Sequence, residues 1–227
     1  MLLALLLRML ERISDFPFSV EYIVMDPGYS EETLAVVKGN LALFGIDAEI
    51  FKTDIFSALE NGGKYPCYLC AKMRRGWLYR KAKEKGCNKI ALGHHKDDVI
   101  ETVLMGMFYS SMLQSMPPKL KSRNWEGMEL IRPLYRINEK DIISWCDFNH
   151  LSFIRCACTV TKKNALCGKG SKREEVKALI KELKKESPNI SSSIFNSVHN
   201  VYLSTFAAYR DKNELVSFLE HYDDEPL

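Results

Sequence analysis

Short strand-like segments alternate with longer helical segments along roughly the first two thirds of this 227-residue chain. Apolar and β-branched residues between turn formers predict strands at 19–25, 47–51, 89–92, 128–131 and 151–154. Helical periodicity and stop signals predict helices at 2–13, 31–44, 68–85, 97–109 and 139–149. Repeated strand–helix units of this length predict an α/β fold, in which an open parallel sheet carries helices on both faces in a Rossmann-like arrangement.

The pattern changes in two places. A Met/Pro/Lys-rich stretch at 110–129 and a Cys/Lys/Gly-rich stretch at 155–171 have no periodicity, and we expect both to be loops. An amphipathic helix is predicted at 172–185, and a further helix around 193–210. We therefore predict an α/β domain at 1–160 and an all-helical C-terminal extension at 161–227.

The positive charge is concentrated in one part of the sequence. Residues 1–60 contain 4 Lys/Arg against 10 Asp/Glu, whereas residues 61–125 contain 13 against 4. A basic belt of this kind predicts binding of a polyanion such as nucleic acid, although solvated helix faces give the same pattern.

The composition also indicates a compartment. The apolar run Met1–Leu7 has no basic segment before it and is soon interrupted by charges, so we interpret it as a buried helix rather than a signal peptide. No stretch is long enough to cross a bilayer, and we expect no membrane association. Seven cysteines without an export signal favour a reducing compartment, and we expect a cytoplasmic protein.

A pair of cysteines, Cys67 and Cys70, opens a basic helical segment that runs to Arg80. Thiols at this spacing lie one turn apart, and a helix N-terminus with nearby cations favours the thiolate. Three interpretations are open: half of a zinc site, a redox pair, or part of an iron–sulfur or sulfur-transfer site.

A second constellation follows the strand predicted at 89–92. Gly93, His94 and His95 lie where that strand meets the next helix, which begins with Asp97 and Asp98. Ligands of open α/β sheets bind beyond the carboxyl ends of the strands, so this turn predicts a phosphate or magnesium–nucleotide site. The alternative is that one aspartate only caps the helix and the histidines have local partners.

Taken together, these motifs resemble the tRNA 2-thiocytidine synthetase family of PP-loop, or adenine nucleotide alpha hydrolase-like, ATPases. The resemblance covers about residues 1–160 in consistent order and rests on Cys67-Tyr-Leu-Cys70, Met73–Gly76, Leu78–Arg80, Lys89–Asp98, Glu101–Thr102, Met107–Tyr109, Met116–Leu120, Ile131–Leu134 and Glu139–Ile142.

The resemblance implies a reaction and a set of roles. ATP adenylates the C2 carbonyl oxygen of a cytidine in the tRNA anticodon loop, pyrophosphate leaves, and sulfur then displaces AMP. It implies a [4Fe-4S] cluster on three cysteines, with ATP and Mg²⁺ as further cofactors. The residues that it implies are Cys67, Cys70 and Cys156 for the cluster, Asp26, Gly93, His94, Asp97 and Asp98 for the nucleotide and its metal, Arg74 and Asp98 for catalysis, and Lys119, Lys121 and Arg123 for the tRNA backbone.

Two features depart from the family pattern. The family's Ser-Gly-Gly-Lys-Asp-Ser loop and its strand are expected just before Met1 and do not occur in the chain, so we expect this chain by itself to bind ATP poorly and to thiolate little. Cys158 and Cys167 lie close to Cys156 in sequence, so Cys158 competes as third ligand, and a zinc site made of these three cysteines and one other ligand is an alternative.

Other functions stay open at this point. The chain could be a non-catalytic metal- and RNA-binding protein of the same fold, or a PP-loop enzyme that acts on another substrate. A homodimer is expected from the resemblance and from the apolar surface that a missing strand leaves exposed. The sulfur donor is not indicated.

Overall fold

A computed structural model describes residues 1–60, 66–153, 171–212 and 214–222 of the chain. The chain folds into two compact units, 1–178 and 179–227. The predicted boundary at residue 160 lies outside the described residues, so that boundary stays a prediction. No helix in the described ranges is long and apolar enough to cross a membrane.

The first unit contains most of the helices and strands. Its helices are α1 (Leu2–Ile13), α2 (Glu31–Leu43), α3 (Ile55–Glu60), α4 (Pro66–Glu84), α5 (Lys96–Ser110) and α6 (Glu139–Phe148), and α7 (Lys172–Glu186) begins in it. Its strands are β1 (Ile23–Asp26), β2 (Glu49–Lys52), β3 (Lys89–Ala91), β4 (Lys119–Lys121) and β5 (Glu129–Ile131). The predicted alternation of strands and helices up to residue 149 is confirmed, with shorter strands.

The strands form two separate parallel pairs. β1 pairs with β2 from Ile23 opposite Glu49, and β3 pairs with β5 from Lys89 opposite Glu129. β4 adds to the far edge of β5 in antiparallel orientation, inside the stretch that the sequence predicts to be a loop. The predicted parallel sheet is therefore present as two pieces, and in the described part of the chain no strand joins β1 to β3.

The core lies around α4, α5 and the β3–β5 pair. Tyr79, Ala82, Ile90 and Met128 form one buried cluster, and Cys87 packs against its edge as a small apolar residue, as predicted. One face of α5 is fully buried and carries Val99, Ile100, Val103 and Leu104. Because α5 and the β3–β5 pair are packed this way, the turn between β3 and α5 is held on a rigid base.

Three predicted elements differ from the structure. No residue of α1 is buried, and its outer face exposes between 42% and 76% of Leu6, Met9, Leu10 and Ile13, so the interpretation as a buried helix is wrong. The segment 151–153 is not a strand, because the Leu151 N–H completes the C-terminal turn of α6 and the Ser152 carbonyl accepts from the Asn40 side chain. Residue 154 lies outside the described residues.

The third correction concerns the second unit. The helix expected around 193–210 is short: α8 spans Ile190–Ser197, and strands β6 (Ala208–Asp211) and β7 (Glu214–Ser217) follow as an antiparallel pair. Lys212 lies in the turn between them with a φ of 45°. The extension therefore combines helical segments, which include 3₁₀ helices at Leu203–Thr205 and Phe218–His221, with one antiparallel strand pair.

Candidate active site

The turn from β3 to α5 places Gly93, His94 and His95 at the carboxyl end of a parallel strand. His95 is the N-cap of α5, and its backbone N–H donates to Asp98 Oδ2 at 3.0 Å. Asp97 and Asp98 both lie in the first turn, where the helix dipole favours negative charge. The local sequence therefore folds as a capped helix start at the carboxyl end of β3.

The two aspartates of this turn have different partners. Asp97 Oδ2 accepts from the backbone N–H of Glu139 at 2.7 Å, and so caps α6 rather than its own helix. Asp98 accepts from His95 N–H, and its Oδ1 lies 3.2 Å from Arg173 Nη1. Both aspartates therefore act as helix caps, Asp97 for α6 and Asp98 for α5. Their binding of a metal or a nucleotide stays a prediction.

Four further charged residues complete a network around Asp98. Arg173 Nε lies 3.2 Å from Glu101 Oε2, and Lys177 Nζ lies 3.5 Å from Glu101 Oε1 and 2.7 Å from Glu139 Oε1. Glu101 is only 1% exposed. Burial raises the pKa of Glu101, and Lys177 and Arg173 counteract that rise. Burial lowers the pKa of Lys177, but Glu139 and Glu101 outweigh it and raise that pKa above its ordinary value.

Several buried polar atoms have no hydrogen-bond partner among the described residues, and two of them belong to the histidines of this turn. These atoms include His94 Nδ1, His95 Nδ1, Arg132 Nε and Arg74 Nε. Burial lowers the pKa of His94, with Asp98 opposing the shift, so its ring is neutral near pH 7. Buried polar groups without partners are uncommon in folded proteins, and at the end of a parallel strand they fit a polar ligand.

Arg74 lies on α4, beside Phe56 of α3. Its guanidinium carbon is 6.0 Å from the centre of the Phe56 ring. The Phe56 side chain also packs beside Gly28, where a Cβ atom on the glycine would lie 3.4 Å from it. The side chain is therefore placed by an aromatic contact and carries no carboxylate partner within the described part of the chain. A guanidinium in this state can neutralise an anionic leaving group, as the sequence predicts.

Asp26 ends β1 and is 3% exposed. Its Oδ1 accepts from the N–H groups of Gly28 at 2.9 Å and Tyr29 at 2.7 Å, and its carbonyl accepts from Thr53. Gly28 has a φ of 111°, which side-chain-bearing residues rarely adopt. The carboxylate of Asp26 therefore holds a tight turn, and its expected contact with a nucleotide stays a prediction.

The cysteines are placed only in part. Cys67 and Cys70 both lie in the first turns of α4, three positions apart, and Cys70 is a half-buried free thiol. α4 is about 28 Å long and is joined to β3 by a short turn, so its first turns extend beyond the carboxyl end of β3. The cysteine pair therefore lies toward the same edge as the Gly93 turn.

The expected metal sites are not completed by the described residues. Cys156, Cys158 and Cys167 lie in 154–170, outside the residues that the structure describes, so the third ligand is untested. Across the described ranges no three His, Cys, Asp or Glu side chains gather as a metal-binding group. The donor types still fit: paired thiols suit an iron–sulfur cluster, and the Asp97–Asp98 pair suits a magnesium bound to phosphates.

The three predicted tRNA contacts lie on and just after β4. Lys119 and Lys121 occupy alternate positions of the strand and share one side, and Arg123 follows. Lys119 Nζ lies 3.1 Å from Glu129 Oε2, which Lys89 also approaches at 3.3 Å, whereas no described carboxylate pairs with Lys121 or Arg123. Hydrogen bonding from Lys119 lowers the pKa of Glu129. Two of the three cations are thus available to an external phosphate.

Comparison with known proteins shows the family to which the chain belongs. A protein-family model described as a PP-loop domain matches residues 67–162. A tRNA-cytidine(32) 2-sulfurtransferase of Coxiella burnetii is 38% identical over 193 residues, which cover 82% of this chain and 72% of that protein. The chain belongs to the tRNA-cytidine(32) 2-sulfurtransferase family.

Two further relatives support the same family assignment. The enzyme of Pseudomonas fluorescens is 35% identical over 87% of this chain and 71% of its own length. That of Neisseria meningitidis is 36% identical over 89% of this chain, which spans 62% of the longer relative. The fold resembles the solved U34-tRNA thiolase NcsA from Methanococcus maripaludis, described with its [4Fe-4S] cluster, at a TM-score of 0.62, 18% identity, and coverage of 88% of this chain and 69% of that one. The predicted adenine nucleotide alpha hydrolase-like fold is confirmed.

No role is assigned from sequence to four residues of the charged network. Glu101 and Glu139 appear only as residues of the family motifs, and Arg173 and Lys177 appear in none of them. The sequence interpretation of α7 used only its apolar stripe. A usable signal was present in the spacing, because Arg173 and Lys177 lie four residues apart and form a cationic pair on one helix face.

Proposed function

We propose that this chain takes part in the ATP-dependent and iron–sulfur-dependent formation of 2-thiocytidine in the tRNA anticodon loop. The cytidine O2 forms a bond to the α-phosphorus of ATP, and the bond to the β-phosphate breaks as pyrophosphate leaves. A sulfide sulfur then bonds to C2, and the C2–O bond breaks as AMP leaves with the former carbonyl oxygen. The observation that carries the proposal is the Gly93 turn, with buried, unpartnered polar atoms in a chain 38% identical to a tRNA sulfurtransferase.

Each group of residues has a part in this reaction. His94 and Gly93 offer a neutral ring and an open backbone to the nucleotide, and Asp98, with Asp97 beside it, would hold a phosphate-bound Mg²⁺. Arg74 would neutralise the charge that develops on the leaving pyrophosphate. Three cysteines would hold a cluster with one iron open to an external ligand, and the cluster would supply the sulfur for the second half of the reaction.

Cys67 and Cys70 supply two of the cluster's thiolates from the first turns of α4, and Cys156 the third, with Cys158 as the competing ligand. Lys121 and Arg123 contact the tRNA backbone and Lys119 shares its charge with Glu129. The exposed apolar face of α1 supports a homodimer. A tRNA substrate and free thiols agree with a cytoplasmic location.

The function is tested by mass spectrometry of tRNA nucleosides from a strain in which the gene is deleted. We expect 2-thiocytidine to disappear, and to return when the wild-type gene is restored. Unchanged 2-thiocytidine contradicts the proposal, and loss of a different thiolated nucleoside instead assigns the same chemistry to another base.

A second candidate is a non-catalytic metal- and RNA-binding protein. It is favoured by one observation: Asp97 and Asp98 already accept hydrogen bonds from protein groups, which leaves fewer lone pairs for a metal. Metal and sulfide analysis of anaerobically purified protein, together with tRNA binding, separates the candidates. Iron with sulfide and unchanged 2-thiocytidine in the deletion strain support the binder, whereas zinc alone contradicts the cluster in both.

A further inference from the structure

The first two turns of α7 contact α5 and α6 at the candidate active site. Arg173 and Lys177 lie one turn apart on the same face, and between them Val176 is only 1% exposed. The helix is thus seated by a buried apolar side chain with a cation on either side. This seating fixes where both cations point.

Arg173 bridges two carboxylates of α5 at once. Its Nη1 lies 3.2 Å from Asp98 Oδ1, and its Nε lies 3.2 Å from Glu101 Oε2. The contact with Asp98 is a hydrogen bond, whereas Glu101 Oε2 has no hydrogen-bond partner among the described residues and is held by Arg173 as an ion pair. A planar guanidinium can face both carboxylates at once, whereas an ammonium is a single point of charge. Glu101 is 1% exposed, so it needs these cations to stay charged inside the protein.

Asp98 is therefore held from two directions. One oxygen accepts from the backbone N–H of His95, and the other faces Arg173. Asp97 is one residue away and has a different partner, the backbone N–H of Glu139. Lys177 closes the network by joining Glu101 to Glu139, and so ties α5 to α6.

We propose that Arg173 and Lys177 are positioning residues, which hold Asp98 in the orientation that the active site uses. The inference rests on the proposed function, because it assigns them a role in the reaction only through Asp98. Loss of Arg173 leaves Asp98 free to turn away from the N-cap of α5, and loss of Lys177 loosens α5 from α6.

The test uses hydrogen exchange of two backbone amides in the full chain, followed by NMR. In Arg173→Ala the His95 amide is expected to exchange about tenfold faster, since it shares an acceptor with Arg173, whereas the Glu139 amide, bonded to Asp97, keeps its rate. Lys172→Ala removes a neighbouring charge from the same helix and is the matched control, with neither amide changed. Equal acceleration of both amides, or of neither, overturns the proposal.

A conservative variant and a cellular readout complete the test. Arg173→Lys keeps the charge, cannot bridge both carboxylates, and serves if the alanine variant does not fold; we expect an intermediate effect on the His95 amide. At equal protein abundance, 2-thiocytidine in tRNA is expected to fall in both Arg173 variants and in Lys177→Ala, but not in Lys172→Ala. Wild-type 2-thiocytidine in the Arg173 variants overturns the role in the reaction. If deletion of the whole gene leaves 2-thiocytidine unchanged, the proposed function fails, while the exchange rates still decide whether Arg173 positions Asp98.

Discussion

The two parallel strands β1 and β3 end in different ways. At the end of β1, the buried carboxylate of Asp26 accepts two backbone N–H groups and closes its own turn. At the end of β3, a glycine and two histidines leave buried ring nitrogens without a partner in the described residues. Because a fold seldom buries polar atoms without partners, the contrast supports our proposal that the nucleotide binds at the end of β3, whereas the carboxylate at the end of β1 holds its own turn.

The largest effect is expected at Cys70 of α4, the helix that precedes β3. Cys70→Ser removes one thiolate of the proposed cluster, so we expect loss of bound iron and at least about a hundredfold less 2-thiocytidine in tRNA. Cys87→Ser is the control, because Cys87 only packs against the core cluster. Iron analysis and nucleoside mass spectrometry measure both, and equal iron content in the Cys70 variant and the wild type argues against the ligand assignment.

The next effect concerns stability at the end of β1. Asp26→Ala leaves the N–H groups of Gly28 and Tyr29 without an acceptor, so we expect the free energy of unfolding in urea to fall by about 2 kcal/mol. A wild-type midpoint in this variant contradicts the structural interpretation of Asp26. A loss of 2-thiocytidine beyond the loss of folded protein instead supports the nucleotide contact predicted from sequence.

The two lysines of β4 differ in a similar way, because only one of them has a carboxylate partner among the described residues. Lys121 has no described carboxylate partner, whereas Lys119 pairs with Glu129 at 3.1 Å. We expect Lys121→Ala to weaken tRNA binding about threefold and to reduce its salt dependence by about one charge, and Lys119→Ala to do less. Filter binding at several salt concentrations measures this, and a larger effect at Lys119 breaks the comparison.

The smallest effect is a dependence of stability on pH. Burial lowers the pKa of His94 in the folded chain, while Arg132, Arg173 and His95 also disfavour its charge and Asp98 favours it. The unfolded chain therefore takes up this proton first, near pH 6.5, and the free energy of unfolding falls as the pH drops below about that value. His94→Gln is expected to flatten this slope in urea titrations, and an unchanged slope removes His94 as its source.

Much of this fold can be predicted from sequence, because its helices and strands are local. The helical composition of α2, α4 and α5, the glycines that end the first two of them at Gly45 and Gly86, and the apolar run of β3 indicate their type within a few residues. β4 is missed because Lys119–Lys121 has one apolar residue between two lysines, which is too short a pattern to predict a strand, and it forms through pairing with β5.

The sequence indicates which residues belong to the candidate site, but not which of them contact one another. The turn after β3 is identified by its glycine and acidic residues, as is the cysteine pair of α4. That Asp97 caps a helix starting 42 residues later depends on tertiary packing. The approach of Arg173 to Asp98, 75 residues apart, likewise leaves no local signal.

The most direct test of the contrast between the two strand ends is the 2-thiocytidine content of tRNA from cells that carry either His94→Ala or Asp26→Ala at the chromosomal gene. We expect His94→Ala to leave below about a tenth of the modification at normal protein abundance, and Asp26→Ala to reduce it only as far as protein abundance falls. His150→Asn, an exposed histidine with a φ of 52° that asparagine tolerates, is the control. Wild-type 2-thiocytidine in His94→Ala, with loss at normal abundance in Asp26→Ala, contradicts the account.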